Sequence, residues 1–274
     1  MGKPAGWTPP TEGADYVFLP AWTSEYSSVL DGKLGKPVVV WTSPIIQSEY
    51  EPMEFLYLKE ILRLLDKGKI YAVWFGSQDW LPIVKKEGRR VFYCPYPVTL
   101  PPYWKGDKTN NPPKEVGIFG PMGPRKNAAV QAMAAVMAGC RVHFTDPGMA
   151  DRSLLLPGDY AVDGWQIPAR YHDLVLAMDV GMQCSIPGSE SFSYVTWDFV
   201  SRDVPCLTTV PWILHVSGSL HIRNPYDIED LANHIRYAAD MYDRGELRTS
   251  AELFSRHLNE DVRTALFAAL GLAL

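Results

Sequence analysis

The chain has 274 residues, four cysteines and a formal net charge of −5. This length allows one large domain or two modest ones, and an apolar content of 47 % predicts a folded chain with a core. No apolar run approaches the ~20 residues that a membrane span needs, and the first 15 residues lack the apolar region of a secretory leader. The acidic balance disfavours a protein whose whole surface binds nucleic acid, but it leaves room for a local basic groove.

The cysteines indicate a reducing compartment. They are far apart, form no CxxC pair, and each lies in or beside an apolar run; they are Cys94, Cys140, Cys184 and Cys206. Buried free thiols are therefore predicted in place of disulfides or zinc ligands, and a cytoplasmic location follows.

The first part of the chain alternates strand-like and helix-like segments. Strands are predicted at residues 15–22, 36–42, 70–75 and 90–94, and helices at residues 54–65 and 78–87. Residues 95–115 are dense in Pro, Asn and Lys and have no period, which is typical of a linker between domains.

The alternation resumes after this linker. Strands are predicted at residues 116–119, 141–145, 160–162, 180–184 and 206–210, and helices at residues 127–138, 169–178, 190–202, 228–242 and 251–270. The pattern predicts an α/β fold with two Rossmann-like domains, residues 1–107 and 108–274. Ligands are expected at the carboxyl ends of the strands, in a cleft between the domains.

The segment 116–139 carries the first chemical signal. A short buried strand leads into a loop with Gly120 and Gly123, and Arg125 and Lys126 follow, with Asn127 as the predicted cap of the next helix. Free backbone N–H groups, the helix dipole and two cations suit a phosphate or diphosphate. An ordinary strand-to-helix turn with solvated cations is the alternative.

The segment 179–209 carries the second chemical signal. A strand leads into a loop with Gly188 and Ser189, then Glu190 at or just before a helix, and Asp198 eight residues later. If both lie on one helix, the two carboxylates are about 12 Å apart along its axis, so they would hold two ends of an elongated ligand. The alternatives are a carboxylate that stabilises the first turn and a solvated helix residue.

Both segments, in this order, resemble the GT-B glycosyltransferases, in particular the family-4-like retaining enzymes that use nucleotide sugars. The resemblance covers residues 90–242. It rests first on VGIFGPMGPRKN and on NPYDIEDLA before a late helix. Two further segments correspond with changes: Glu-x7-Asp stands in place of the family's Glu-x7-Glu, and RDVPC stands in place of its G-x-P-V segment. The WDFVSRD helix replaces the usual E-A-M-A-x-G, and the first domain is short for the family.

The resemblance implies roles for named residues. Arg125 and Lys126 would neutralise the donor diphosphate, Glu190 would lie near the transferred sugar, and Asp198 would bind the ribose. The loops with Gly120, Gly123, Gly188 and Ser189 would approach the donor. Trp165 would stack on the nucleobase, with a core tryptophan as the alternative. The donor would be UDP- or GDP-linked, and the family needs no metal or other cofactor.

The acceptor is expected on the first domain. All six histidines follow the linker, so a general base there would be a carboxylate such as Glu25 or Asp79, or there is none. Aromatic rings, hydroxyls and a carboxylate occur together in residues 22–26, 42–43 and 77–80, the last including Trp80. This combination suits a sugar or a flipped base, and it suits ordinary loops equally well.

Two other functions stay open. A short first domain and the cations between Lys85 and Lys114 also suit a viral-type enzyme that glycosylates hydroxymethylated bases in DNA. A non-catalytic nucleotide-binding module is the third interpretation.

Overall fold

The computed structural model describes residues 14–20, 30, 35–41, 53–101, 112–149, 158–190, 192–238 and 245–272. The chain forms two compact units, residues 1–96 with 261–274 and residues 97–260. The α/β class and the two parallel sheets are confirmed.

The first unit is built on a four-stranded parallel sheet in the order β1-β2-β3-β4. Its elements are β1 Tyr16–Pro20, β2 Lys36–Trp41, α1 Met53–Asp66, β3 Ala72–Phe75, a 3-10 turn at Gln78–Trp80, α2 Leu81–Val84 and β4 Val91–Tyr93. The helix predicted at 78–87 is thus a 3-10 turn and one short helix. A serine, Ser77, caps the turn by accepting a hydrogen bond from the backbone of Asp79.

Alternate residues of these strands enter two cores, as expected when a parallel sheet is covered on both faces. Val39 and Val73 pack with α1, whereas Val38 and Ala72 pack with Val262 from the end of the chain. The first unit therefore takes its second layer from the last residues of the sequence.

The second unit is built on a five-stranded parallel sheet in the order β7-β6-β5-β8-β9. The strands are β5 Glu115–Ile118, β6 Arg141–Phe144, β7 Tyr160–Val162, β8 Val180–Gln183 and β9 Cys206–Thr208. The helices are α3 Ala128–Met137, α4 Pro168–Ala177, α5 Tyr194–Val200, α6 Ile228–Tyr237 and α7 Glu246–Leu270. Helix α7 belongs to this unit up to residue 260 and to the first unit from residue 261. Short 3-10 turns lie at Pro124–Lys126, Pro211–His215 and Gly218–Leu220.

The border between the units differs from the predicted 107/108. Residues 97–101 lie in the second unit because their backbone is bonded there: Asn259 pairs with both backbone groups of Val98 at 2.8 and 3.0 Å, and Trp197 donates to Thr99 at 3.0 Å. The start of the proline-rich stretch is thus bound to the second unit, and residues 102–111 lie outside the described residues.

All four cysteines are buried free thiols, as predicted. Burial raises the pKa of Cys140 to about 11 and that of Cys94 to about 12, so both are protonated at neutral pH. No helix among the described residues has the length and apolar character needed to cross a membrane.

Two paired glycines of the second sheet, Gly117 and Gly181, lie against the ring of Phe199. A Cβ on Gly181 would lie 2.5–2.8 Å from ring carbons of Phe199, which is fully buried. Gly181→Ala should therefore lower the free energy of unfolding by about 2 kcal/mol, since overpacking of a close-packed core typically costs 1–3 kcal/mol.

Denaturant unfolding measures this loss. Gly218→Ala is the control, because a Cβ there meets nothing within 4 Å. Equal stability of the two alanine variants would contradict the described packing of Phe199 on the sheet.

Candidate active site

The topology of the second sheet places two loops side by side. β5 pairs with β6 on one edge and with β8 on the other, so the order of strands reverses between β5 and β8. In open α/β sheets, ligands bind at the carboxyl ends of the strands at such a switch point. The loop after β5 carries Arg125 and Lys126, and the loop after β8 carries Glu190.

Glu190 is the centre of the resulting cluster. Its Oε1 accepts hydrogen bonds from Arg125 Nη1 at 3.1 Å, Gln183 Nε2 at 3.2 Å and Ser185 Oγ at 3.0 Å, and also from Lys126 Nζ. The side chains of Lys126 and Glu190 are each 9 % exposed, and that of Arg125 is 16 % exposed. The alternative of two solvated cations is therefore wrong.

Lys126 is held in an unusual environment for a lysine. Burial lowers its pKa, and the adjacent Glu190 carboxylate opposes this by favouring the ammonium form. Two cations and one carboxylate leave the cluster with a surplus of positive charge, which favours an incoming anion.

Three further contacts fix the turn that carries the cations. Gln131, 1 % exposed, donates from its amide to the carbonyl of Lys126 and accepts from the Cys184 N–H at 3.0 Å. The Ile186 N–H donates to the carbonyl of Arg125 at 2.8 Å. These bonds tie the loop after β5 to the loop after β8. Sequence reasoning missed Gln131, because an amide on an alanine-rich helix has no sequence signal of its own.

Asn127 does not cap α3 as predicted. It occupies the N-cap position with a left-handed backbone (φ 53°), and its side chain makes no cap bond. Its amide instead donates to the Pro225 carbonyl at 2.7 Å, in the NPYD stretch, where Asp227 caps α6. The left-handed conformation directs the chain sharply out of the Arg125–Lys126 turn.

The expected free N–H groups of the glycine loop are partly occupied. The Gly120 N–H donates to Thr145 Oγ1 at 2.8 Å, and the Met122 N–H donates to Asp146 at 2.7 Å. Gly120 has φ 89° and Gly188 has φ 78°, so each loop bends where only glycine fits without strain. Gly123 accepts from the Lys126 N–H at 2.9 Å and thereby closes the cation turn. The N–H groups of Gly120 and Met122 are therefore not available to an anion.

Ser189 lies beside Glu190 and is fully buried. Its hydroxyl has no hydrogen-bond partner within the described ranges. A buried hydroxyl without a hydrogen-bond partner costs about 1–3 kcal/mol of stability unless a ligand or a water supplies the partner.

Asp198 lies in a different set of contacts. Helix α5 begins only at Tyr194, capped by Ser193, so Glu190 is in the preceding loop and the predicted 12 Å helical offset does not apply. Asp198 bonds to Arg202 at 3.2 Å and to the Tyr171 side chain. Burial raises the pKa of Asp198, and Arg202 and Tyr171 oppose this. The solvated-residue alternative is wrong.

A cavity of about 260 Å³ lies beside Asp198. It is lined by Pro97, Thr99, Pro101, Tyr194, Trp197, Asp198 and Arg202. Arg202 is fixed by a 2.8 Å bond from its Nε to His172, so the charged wall of the cavity is preorganised.

Trp165 follows β7 and is 61 % exposed, so the core alternative is wrong. Its loop is anchored by Asp163, which contacts His143 on β6 at 3.0 Å. The other ring nitrogen of His143 contacts Glu115 at 2.7 Å.

The acceptor-side candidates lie in the first unit. Asp79 is exposed after the carboxyl end of β3 and accepts from Ser77 Oγ at 3.1 Å, whereas Glu25 is outside the described residues. Trp80, expected to face a sugar, is 2 % exposed and packs against Trp41 and Phe75. No group of three or more His, Cys, Asp or Glu that could hold a metal ion occurs in the part of the chain that the structure describes.

The two bonds of Gln131 generate a prediction. Gln131→Met keeps the size of the side chain but leaves the Lys126 carbonyl and the Cys184 N–H unpaired, so the free energy of unfolding should fall by about 1–3 kcal/mol. Gln78→Met, the same change at an exposed position, should stay within about 0.5 kcal/mol of the parent in urea unfolding. A Gln131→Met protein as stable as its parent would show that the bridge is not formed.

Among the comparisons with known proteins, the one with solved structures gives matches. No protein-family model matches the chain, and no curated protein sequence matches it. Among solved structures, Anabaena HepE in complex with UDP and glucose is similar with a TM-score of 0.65 and 15 % identity, over 94 % of this chain and 78 % of that one.

Two further structures are similar over most of the chain. Sucrose-phosphate synthase from Thermosynechococcus elongatus has a TM-score of 0.59 and 17 % identity, over 91 % of this chain and 70 % of that one. A TarM mutant from S. aureus, in complex with fondaparinux, alpha-GlcNAc-glycerol and UDP, has a TM-score of 0.60 and 11 % identity. That match covers 87 % of this chain but 51 % of TarM, so this chain spans about half its length. The chain therefore has the fold of the GT-B glycosyltransferases.

Proposed function

We propose that the chain is a glycosyltransferase that moves a sugar from a UDP- or GDP-linked donor to a saccharide acceptor, with retention at the anomeric carbon. The observation that carries this proposal is the convergence of Arg125, Lys126 and Glu190 at the switch point of the second sheet. The similar structures with bound UDP support it.

In this proposal the cations act on the leaving group. The bond between the anomeric carbon and the phosphate oxygen breaks, and negative charge grows on the diphosphate. Arg125 and Lys126 stabilise that charge from a site that excludes most water, where preorganised cations are strongest. Arg125 has a planar fork that matches two phosphate oxygens, and Lys126 supplies a point charge.

The acceptor reacts on the face that the diphosphate leaves. Its oxygen bonds to the anomeric carbon, and its proton passes to the departing phosphate oxygen, so no covalent enzyme intermediate is needed. Positioning then supplies much of the rate. Glu190 holds the sugar hydroxyls, and the candidates for orienting the acceptor stay Asp79 and Glu25, in residues 1–107 of the predicted division.

The remaining site residues bind the nucleotide. Trp165 stacks on the base, and Asp198 accepts from the ribose hydroxyls. The loops of Gly120, Gly123, Gly188 and Ser189 lie along the diphosphate, where a phosphate oxygen would give the Ser189 hydroxyl a partner. Neither a metal ion nor an organic cofactor takes part, and the buried thiols suit a cytoplasmic enzyme.

A saccharide acceptor is preferred to DNA. The DNA interpretation needs free cations between Lys85 and Lys114. Of these, Arg89 is paired with Asp66 at 2.6 Å and Arg90 lies over the Tyr71 ring. Lys85, Lys86 and Lys114 are exposed, and residues 102–111 are outside the described ranges. No described contact favours a duplex.

Release of nucleoside diphosphate tests the proposal. The protein should release UDP or GDP from at least one of UDP-glucose, UDP-GlcNAc, GDP-mannose and GDP-fucose when a mixture of saccharide acceptors is present. Arg125→Ala and Lys126→Ala should each lower this rate by at least ~100-fold, the scale of losing a principal charge stabiliser.

The matched control is Arg141→Ala, which removes an arginine of the same unit that is paired with Asp159 but 46 % exposed. It should leave the rate unchanged. Nucleotide binding without release from any donor would indicate the non-catalytic module, and near-normal rates in both cation variants would remove them from the site.

Asp198 gives a separate prediction on affinity. Asp198→Asn should weaken the binding of UDP or GDP about tenfold, because a carboxylate bonded to ribose hydroxyls is worth about 1.5–3 kcal/mol. Calorimetry measures this, with Asp159→Asn as the control, because the Asp159 side chain is 72 % exposed. Undiminished affinity of Asp198→Asn would exclude Asp198 from the nucleotide site.

A further inference from the structure

The carboxylate of Glu190 lies where an anion is expected to bind. Arg125 Nη1, at 3.1 Å, and Lys126 Nζ donate to the same atom, Glu190 Oε1. Gln183 Nε2, at 3.2 Å, and Ser185 Oγ, at 3.0 Å, also donate to that atom. One carboxylate oxygen thus accepts hydrogen bonds from four donors.

This arrangement conflicts with a bound diphosphate. The Lys126 side chain is 9 % exposed, and its ammonium is in close contact with Glu190, so a phosphate oxygen cannot take the same position while the carboxylate stays. A phosphate placed beside an undisplaced Glu190 would also face a like charge at short range in a partly buried site, which is costly.

The chain around Glu190 allows the carboxylate to leave. Glu190 precedes helix α5, which begins at Tyr194, so its movement breaks no helical hydrogen bond. Its donors Gln183 and Ser185 are buried and belong to the end of β8 and the residues after it, so they remain in place. Gln131 holds the Lys126 carbonyl in place in the same way.

From these contacts we infer that Glu190 is an internal competitor of the donor diphosphate. Without nucleotide, its carboxylate neutralises Arg125 and Lys126. Diphosphate displaces it, and the freed carboxylate turns to the sugar; after transfer, its return to the cations weakens the hold on the nucleoside diphosphate and promotes product release. This inference rests on the proposed function.

The inference predicts a gain in affinity from the loss of a site residue. Calorimetry of Glu190→Gln with UDP, GDP and ADP should show at least one diphosphate bound about tenfold more tightly than by the wild type, because the competing charge is gone. Inorganic phosphate should also bind the variant more tightly. A role of Glu190 confined to the sugar or to folding would leave these affinities unchanged or lower them.

Two other variants complete the test. Glu252→Gln removes a carboxylate of the same unit that is paired with Arg248 at 2.9 Å, and it should not change diphosphate affinity. Ser185→Ala removes one of the four donors that hold Glu190, with little change in volume, and should raise diphosphate affinity two- to threefold. This variant keeps the test decisive if Glu190→Gln fails to fold.

The results separate the two proposals. Unchanged or weaker diphosphate binding by Glu190→Gln and Ser185→Ala, with a wild type that binds, would overturn the competition and leave the transferase proposal intact. A wild type that binds none of the three diphosphates would overturn both.

Discussion

The pairing of β5 with β8 is the constraint on which the candidate site depends. The two strands lie next to each other although more than 60 residues separate them, with Gly117 opposite Gly181. Neither glycine has a side chain, and the ring of Phe199 lies against both positions. Helix α5 therefore packs directly on the sheet between these strands. The close approach brings the cation turn after β5 against the Glu190 loop after β8.

Electrostatics determines what can bind at the carboxyl ends of β5 and β8. Burying an ammonium and a guanidinium costs free energy that a hydrogen-bonded counter-charge must offset. Glu190 supplies that counter-charge in the free protein, and an anionic ligand can supply it in the complex. The buried side chains around the cluster serve the same balance: Gln131 donates to the Lys126 carbonyl, and Gln183 and Ser185 donate to the Glu190 carboxylate.

Much of this fold could be predicted from the sequence because strand and helix periods alternate clearly, and loop chemistry selected Arg125, Lys126 and Glu190 as site candidates. The contact between them could not be predicted, since the strand order β6-β5-β8 has no local signal. The cap at Asn127 was wrong because a long-range bond to Pro225 outweighs local capping preference. Trp80 and Trp165 were similarly ambiguous, because an indole ring suits a core and a ligand equally, and only burial separates the two.

A crystal structure of the protein with bound UDP or GDP tests the central claim most directly. The account predicts that oxygens of the diphosphate lie within about 3.2 Å of the Arg125 guanidinium and the Lys126 ammonium, with the Glu190 carboxylate moved away from both. A diphosphate bound elsewhere, with the Arg125–Glu190–Lys126 contacts intact, would contradict it.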